Sequence, residues 1–108
     1  MNRKPLKKIT DEDIATYNEK GVVCLRQMFD KDWIERMHAA SFDYMDQDKG
    51  NHRKREARIP GEDARFYINT FMSHYDDEFL DFRNTSPAAE IGATLMGVDR
   101  VRYWYEQL

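Results

Sequence analysis

The spacing of apolar and polar residues divides the chain into stretches of helical period separated by shorter extended or irregular ones. Thr10-Asp11-Glu12-Asp13 marks a first helix start: Thr10 supplies a side-chain cap and three carboxylates fall in the positive first turn. Ile14 and Tyr17 mark its buried side, and Gly21 closes it. Val22 to Gln27 is a short apolar run that predicts a buried strand. Asp30 caps a second, longer helix reaching Gln47, with Trp33, Ile34, Met37, Ser41, Tyr44 and Met45 as one apolar stripe. An aromatic and methionine stripe at this spacing reads as core before it reads as a cofactor box.

Asp48 to Ala64 breaks the pattern with Gly50, Pro60, Gly61 and the charge run His52 to Arg58, and predicts a long, charged, mobile loop. Loops of this length often act as lids. Arg65 to Met72 is rich in strand formers and predicts an extended segment, and a short helix follows with Asp76 or Asp77 as cap and Phe79, Leu80 and Phe82 as its apolar face. Ser86-Pro87 opens a further helix with Ala88, Ile91, Leu95 and Met96 at three- and four-residue spacing, ended by Gly97. Beyond Asp99 the period becomes two. Val101, Tyr103, Tyr105 and Gln107 then share one face of a strand, and Arg102, Trp104, Glu106 and Leu108 the other.

A length of 108 residues suffices for one domain with a limited core, so residues 1–108 read as a single α+β unit with a basic, frayed lead over 1–9. Its 41% hydrophobic and 34% charged residues describe a soluble globular protein. A net charge of −3 gives no reason to expect nucleic acid, and the basic run at 52–58 lacks interleaved aromatics and is diluted by Asp48, Glu56, Glu62 and Asp63. Nothing approaches the roughly eighteen consecutive apolar residues of a membrane span. Cys24 alone excludes an intrachain disulfide and fits a reducing cytoplasm; inside Val22-Val23-Cys24-Leu25, with no His or Lys beside it, it reads as a small core hydrophobe.

The order and spacing of several weak signals carry a resemblance: Thr10-Asp11-Glu12-Asp13-Ile14 with Tyr17 and Gly21-Val22-Val23; Phe29-Asp30 with Trp33-Ile34; and Phe71-Met72, Glu78-Phe79, Phe82, Ser86 to Ile91, Leu95-Met96-Gly97, Arg100-Val101, Tyr105 and Gln107-Leu108. In this order they resemble the N-terminal portion of bacterial members of the phytanoyl-CoA dioxygenase family. The resemblance implies the N-terminal helices and first strands of a double-stranded β-helix (jelly-roll or cupin-like) dioxygenase, with the barrel incomplete in this chain. It also implies Fe(II) and 2-oxoglutarate as cofactors of the complete enzyme and hydroxylation of a small organic substrate. In that family His-x-Asp and a distant His hold the iron, leaving positions for the oxoacid and O₂. The family places those ligands beyond the strand that reaches Leu108, so no metal ligand and no catalytic residue is carried over, and the chain alone is expected to be inactive.

Two positions match cofactor-binding ones, Gln107 on the pre-barrel strand and, within a residue or two, Asn69; Tyr105, Tyr103 and Phe66 match the substrate pocket. A buried Gln107 amide would need partners. His74-Tyr75-Asp76 has the His-x-Asp spelling but precedes a helix with no histidine after it, so Asp76 reads as a helix cap and His74 as a surface residue. A second reading, from a different class, is a non-catalytic α+β interaction module that completes its sheet by pairing with itself or a partner through the terminal strand.

Overall fold

Helix α1 (Asp11–Lys20) begins where Thr10 and Asp13 close a reciprocal box: the Asp13 N–H donates to Thr10 Oγ1 (3.1 Å) and the Thr10 N–H to Asp13 Oδ2 (2.8 Å). It ends at Gly21, whose φ of 72° is the left-handed cap expected there. The computed structural model describes residues 1–47 and 49–108; Asp48, where the charged loop was expected to begin, lies outside the described residues. Helix α2 (Lys31–Asp46) is capped by Asp30, whose Oδ1 accepts the Trp33 N–H at 2.9 Å. Strands β1 (Arg55–Arg58) and β2 (Arg65–Ile68) pair antiparallel, Arg55 opposite Ile68 and Arg58 opposite Arg65. A 3₁₀ turn (Met72–His74), helix α3 (Asp77–Thr85, capped by Asp76) and helix α4 (Ala88–Met96, ended by Gly97 at φ 64°) follow. Helix α4 begins one residue later than expected, with Pro87 in the cap position and no side-chain cap bond there, although Ser86 Oγ accepts the Ala88 N–H at 3.4 Å. The architecture is α+β, and among the described residues no helix is long and apolar enough to cross a membrane.

Helix α2 packs on α3, and α1 on α4. Ala40, Tyr44, Met72 and Phe79 form the core cluster, with Met37 and Leu108 against it. Trp33 is buried, sets its ring edge-on to Phe82 (5.2 Å, 85°) and donates its indole N–H to the Asn2 carbonyl at 2.8 Å. Arg36 fastens α2 to α3 by donating to Glu78 and, at 2.5 Å, to Asp81 Oδ2.

Several expectations are corrected. The lead 1–9 is pinned rather than frayed: Asn2 Oδ1 accepts the Asp30 N–H (2.9 Å), Asn2 Nδ2 donates to the Met28 carbonyl (2.9 Å), and Leu6 N–H donates to the same carbonyl (3.1 Å). One amide side chain thereby anchors a segment whose basic composition looked solvated. Val22 to Gln27 forms no strand; Val22 is 68% exposed and Cys24 is exposed too, because no described strand lies beside this run to pair its backbone. Ile34 is 58% exposed, since the buried line runs Trp33, Met37, Ala40, Tyr44 and leaves Ile34 on its flank.

The stretch expected as an irregular loop over 48–64 carries strand β1 instead. Its charges are reconciled with the ladder locally: Glu56 accepts from Lys54 Nζ just before the strand (2.9 Å) and from Arg58 on it (2.8 Å). The Val101–Leu108 strand contracts to one bridge, Thr70 opposite Gln107, flanked by Asn69 N–H to Leu108 O (3.1 Å), Leu108 N–H to Asn69 O (3.0 Å) and Phe71 N–H to Glu106 O (3.1 Å). Residues 101–105 lie outside any ladder among the described residues, with Trp104 79% exposed.

Candidate functional site

The chain's C-terminal segment runs along the open side of the α2–α3 pair, and a cavity of about 660 Å³ lies between them. Met37 of α2, Phe79 and Phe82 of α3, Met72 of the 3₁₀ turn and Leu108 make its apolar wall, and Tyr103, Tyr105 and Gln107 face it from the C-terminal segment. The size is that of ordinary small-molecule pockets.

A polar cluster stands at the cavity's edge. Phe71 adopts φ 62°, a left-handed conformation that costs a bulky residue energy, and it turns the chain from the end of β2 into the 3₁₀ turn, burying Ser73. The Ser73 N–H donates to Glu106 Oε1, and Ser73 Oγ accepts from Arg83 Nη1 at 3.0 Å. The Tyr103 hydroxyl accepts the Glu106 N–H (3.2 Å) and lies 3.4 Å from Ser73 Oγ, while the Arg83 guanidinium carbon sits 4.7 Å from the Tyr103 ring centroid. Arg83 Nε donates to Asn84 Oδ1 at 3.2 Å. Glu106 Oε2 is buried and is, among the described residues, the side-chain oxygen left without a hydrogen-bond donor.

Of the residues singled out from sequence, Gln107, Tyr105 and Tyr103 come together on this cavity. The Gln107 side chain is exposed, however, so the premise of a buried amide needing partners does not hold; its backbone rather than its amide is what the bridge to Thr70 uses. Asn69 is buried and faces a second cavity of about 570 Å³, bordered by Tyr44, Lys49, Asn51 and Tyr67. Its Oδ1 accepts the Thr70 N–H (2.9 Å) and its Nδ2 donates to the Tyr67 hydroxyl (3.3 Å), so its amide serves the turn after β2. Phe66 lies on β2, 60% exposed, and borders neither cavity. In the second cavity burial pushes the Tyr44 hydroxyl pKa up, against the hydrogen bond from Asn51 Nδ2 (3.0 Å), and the Asp43 carboxylate (2.9 Å), with Asp76 (3.3 Å), raises that of Lys49.

The cluster of Ser73, Arg83 and Glu106 does not follow from the sequence pattern. A period-two reading puts Glu106 on the face opposite Gln107, and Arg83 reads as a basic residue suited to the last turn of α3. Only the left-handed turn at Phe71, invisible in the side-chain pattern, brings Ser73 between them.

The three histidines do not assemble a metal site: His38 is on α2, His52 precedes β1 and His74 ends the 3₁₀ turn, all exposed. Among the described residues no group of three or more His, Cys, Asp or Glu side chains is placed to hold a metal ion, so the ligand set that Fe(II) requires is not formed by them. Asp76 is the cap of α3, its Oδ1 accepting the Glu78 N–H at 2.9 Å, and His74 is a surface residue, as their sequence context indicated. No family model, no curated protein and no solved structure matches this chain.

Proposed function

We propose that the chain forms one wall of the active site of an Fe(II)- and 2-oxoglutarate-dependent oxygenase of the phytanoyl-CoA dioxygenase type, a double-stranded β-helix enzyme that hydroxylates a small organic substrate. The observation that supports this reading is the cavity beside the C-terminal segment, onto which Tyr103, Tyr105 and Gln107, the pocket positions of that resemblance, all open. In this reading iron is held by residues outside those described, and Gln107 lines the wall beside the oxoacid. The setting is cytoplasmic, a proposal supported by the single Cys24, which has no second cysteine in the chain to pair with.

The reading is tested in two ways. The purified chain given Fe(II) and 2-oxoglutarate is expected to form no succinate above a protein-free control, and the coding sequence after Leu108 is expected to encode His-x-Asp and then a distant His. Iron-dependent succinate from the 108-residue chain alone, or a downstream reading frame without those ligands, overturns it.

A second reading, a non-catalytic module that completes its sheet with another chain, is favoured by one observation. Residues 101–105, three of them aromatic, lie outside any ladder among the described residues.

A further inference from the structure

The ionised side chains on the wall of the cavity beside the C-terminal segment are Arg83, Arg102 and Glu106, and they do not balance. Glu106 offers a ligand little: Oε1 accepts the Ser73 N–H, and Oε2 is sealed from solvent, out of reach of anything in the cavity. Arg83 is the reverse case. Its Nε donates to Asn84 Oδ1 and its Nη1 to Ser73 Oγ, while among the described residues Nη2 donates to nothing and no carboxylate pairs with the group. Buried Ser73 and the Tyr103 ring, whose centroid is 4.7 Å from the guanidinium carbon, hold that guanidinium in place, so little freedom remains to be lost on binding. Arg102, exposed at the rim, makes no side-chain hydrogen bond or ion pair among the described residues. Met37, Met72, Phe79, Phe82 and Leu108 form the apolar interior. The cavity thus joins an apolar wall to two cations and one enclosed carboxylate, a net positive charge.

We propose that this cavity binds an amphipathic monocarboxylate, of the class of a short arylalkanoic acid. The carboxylate accepts from Arg83 Nη2 and from Arg102 at the rim, where it stays partly hydrated, and the ring lies against Met37, Met72 and Phe79. Charge selects the head group. An ammonium would meet two guanidiniums and no acceptor it can reach, and a neutral alcohol would cover the wall but leave both cations unpaired. Apolar area selects the body: a bare short carboxylate engages the same cations and leaves the wall wet. The proposal names a ligand class for the cavity that the oxygenase reading makes its pocket, but binding is measured without iron or 2-oxoglutarate, so its failure and that of the oxygenase reading are separate results.

The test is a titration of the ¹⁵N-labelled full chain with 3-phenylpropanoate, following the amide signals of Phe79, Arg83 and Leu108, all on the cavity wall. Saturable shifts at these amides are expected, weakening as sodium chloride is raised. Affinity is expected to fall about tenfold or more for 3-phenylpropanol, which is neutral, and for propanoate, which lacks the ring, and further for 3-phenylpropylamine, which carries the opposite charge. Arg102→Met is expected to weaken 3-phenylpropanoate severalfold and leave 3-phenylpropanol unchanged, and Arg83→Met to do the same more strongly; Trp104→Ala, outside the cavity, leaves both affinities unchanged. Absence of saturable binding of 3-phenylpropanoate to the natural chain, equal affinity for the alcohol or the amine, or undiminished affinity in both arginine variants overturns the proposal. The ligand series uses the natural chain and Arg102 holds no other group, so the outcome does not depend on whether the Arg83 variant folds.

Discussion

Trp33 concentrates much of what holds the N-terminal half together. It is 1% exposed, meets Phe82 edge-on, carries Arg36 over its ring at 5.4 Å and anchors the lead through the Asn2 carbonyl. Trp33→Ala should therefore cost about 3–5 kcal/mol, read as a lower midpoint in urea unfolding. Trp33→Phe keeps most of the packing but leaves the Asn2 carbonyl without its donor, and should cost about 1–3 kcal/mol. Equal midpoints for the two variants would mean that the indole hydrogen bond, not the packing, is what matters.

Acid sensitivity is also decided by individual side chains. The hydrogen bond from Arg36, then that from Thr85, holds the Asp81 carboxyl below its usual range, and the Thr10 N–H, then the Thr10 hydroxyl, does the same for Asp13. A depressed carboxylate pKa in the folded chain contributes stability above the ordinary carboxylate value, and that contribution is lost as the pH falls through the depressed one. The thermal midpoint should thus hold steady down to about pH 5 and decline below about pH 4. Asp81→Asn should begin lower and show a shallower decline; an unchanged slope in that variant would show that Asp81 is not a source of the acid loss.

Among the elements, helices were legible in the sequence and strands only in part, for a physical reason: β2 (Arg65–Ile68) forms within the stretch expected to be extended, but its partner was not foreseen. Thr10, Asp30 and Asp76 satisfy N–H groups a few residues away and Gly21 and Gly97 supply the left-handed turn, so these five helix boundaries are local matters. A strand exists only where a second one pairs with it. Val22 to Gln27 has strand composition and no partner, whereas Arg55–Arg58 has a charged composition and pairs with Arg65–Ile68. The cavity was legible only in part: Tyr103, Tyr105 and Gln107 were pocket positions implied by the family resemblance, whereas Arg83 and Glu106 join through Ser73, which depends on the backbone at Phe71. The cap of α4 tests how local these boundaries are. Gly97 has φ 64°, and a Cβ there would meet nothing within 4 Å, so Gly97→Ala carries the backbone penalty alone, about 1–2 kcal/mol. A thermal midpoint unchanged by this substitution would mean that α4 frays without unfolding the rest.

At the scale of the whole molecule the chain is more open than its length requires. Its radius of gyration is 16.1 Å, against about 13 Å for a compact domain of this size, and its surface of 8131 Å² exceeds the roughly 6,300 Å² expected. Part of the excess is the segment that carries Val101, Tyr103, Trp104 and Tyr105, at 38%, 37%, 79% and 48% exposure, on a backbone that no ladder occupies among the described residues. An open aromatic edge of this kind recruits another strand or another copy. The sedimentation coefficient of the purified chain should therefore rise with concentration across the micromolar range. Trp104→Asp, which puts a charge on the edge without touching the cavity, should restore a concentration-independent monomer. The form of association separates the two functional readings. A discrete dimer that Trp104→Asp dissolves is what a dedicated pairing module requires, whereas polydisperse aggregation is the behaviour of an active-site wall exposed in isolation. A natural chain that sediments as a monomer at every concentration would show that the edge is quiet, and would remove the support that the pairing reading draws from it.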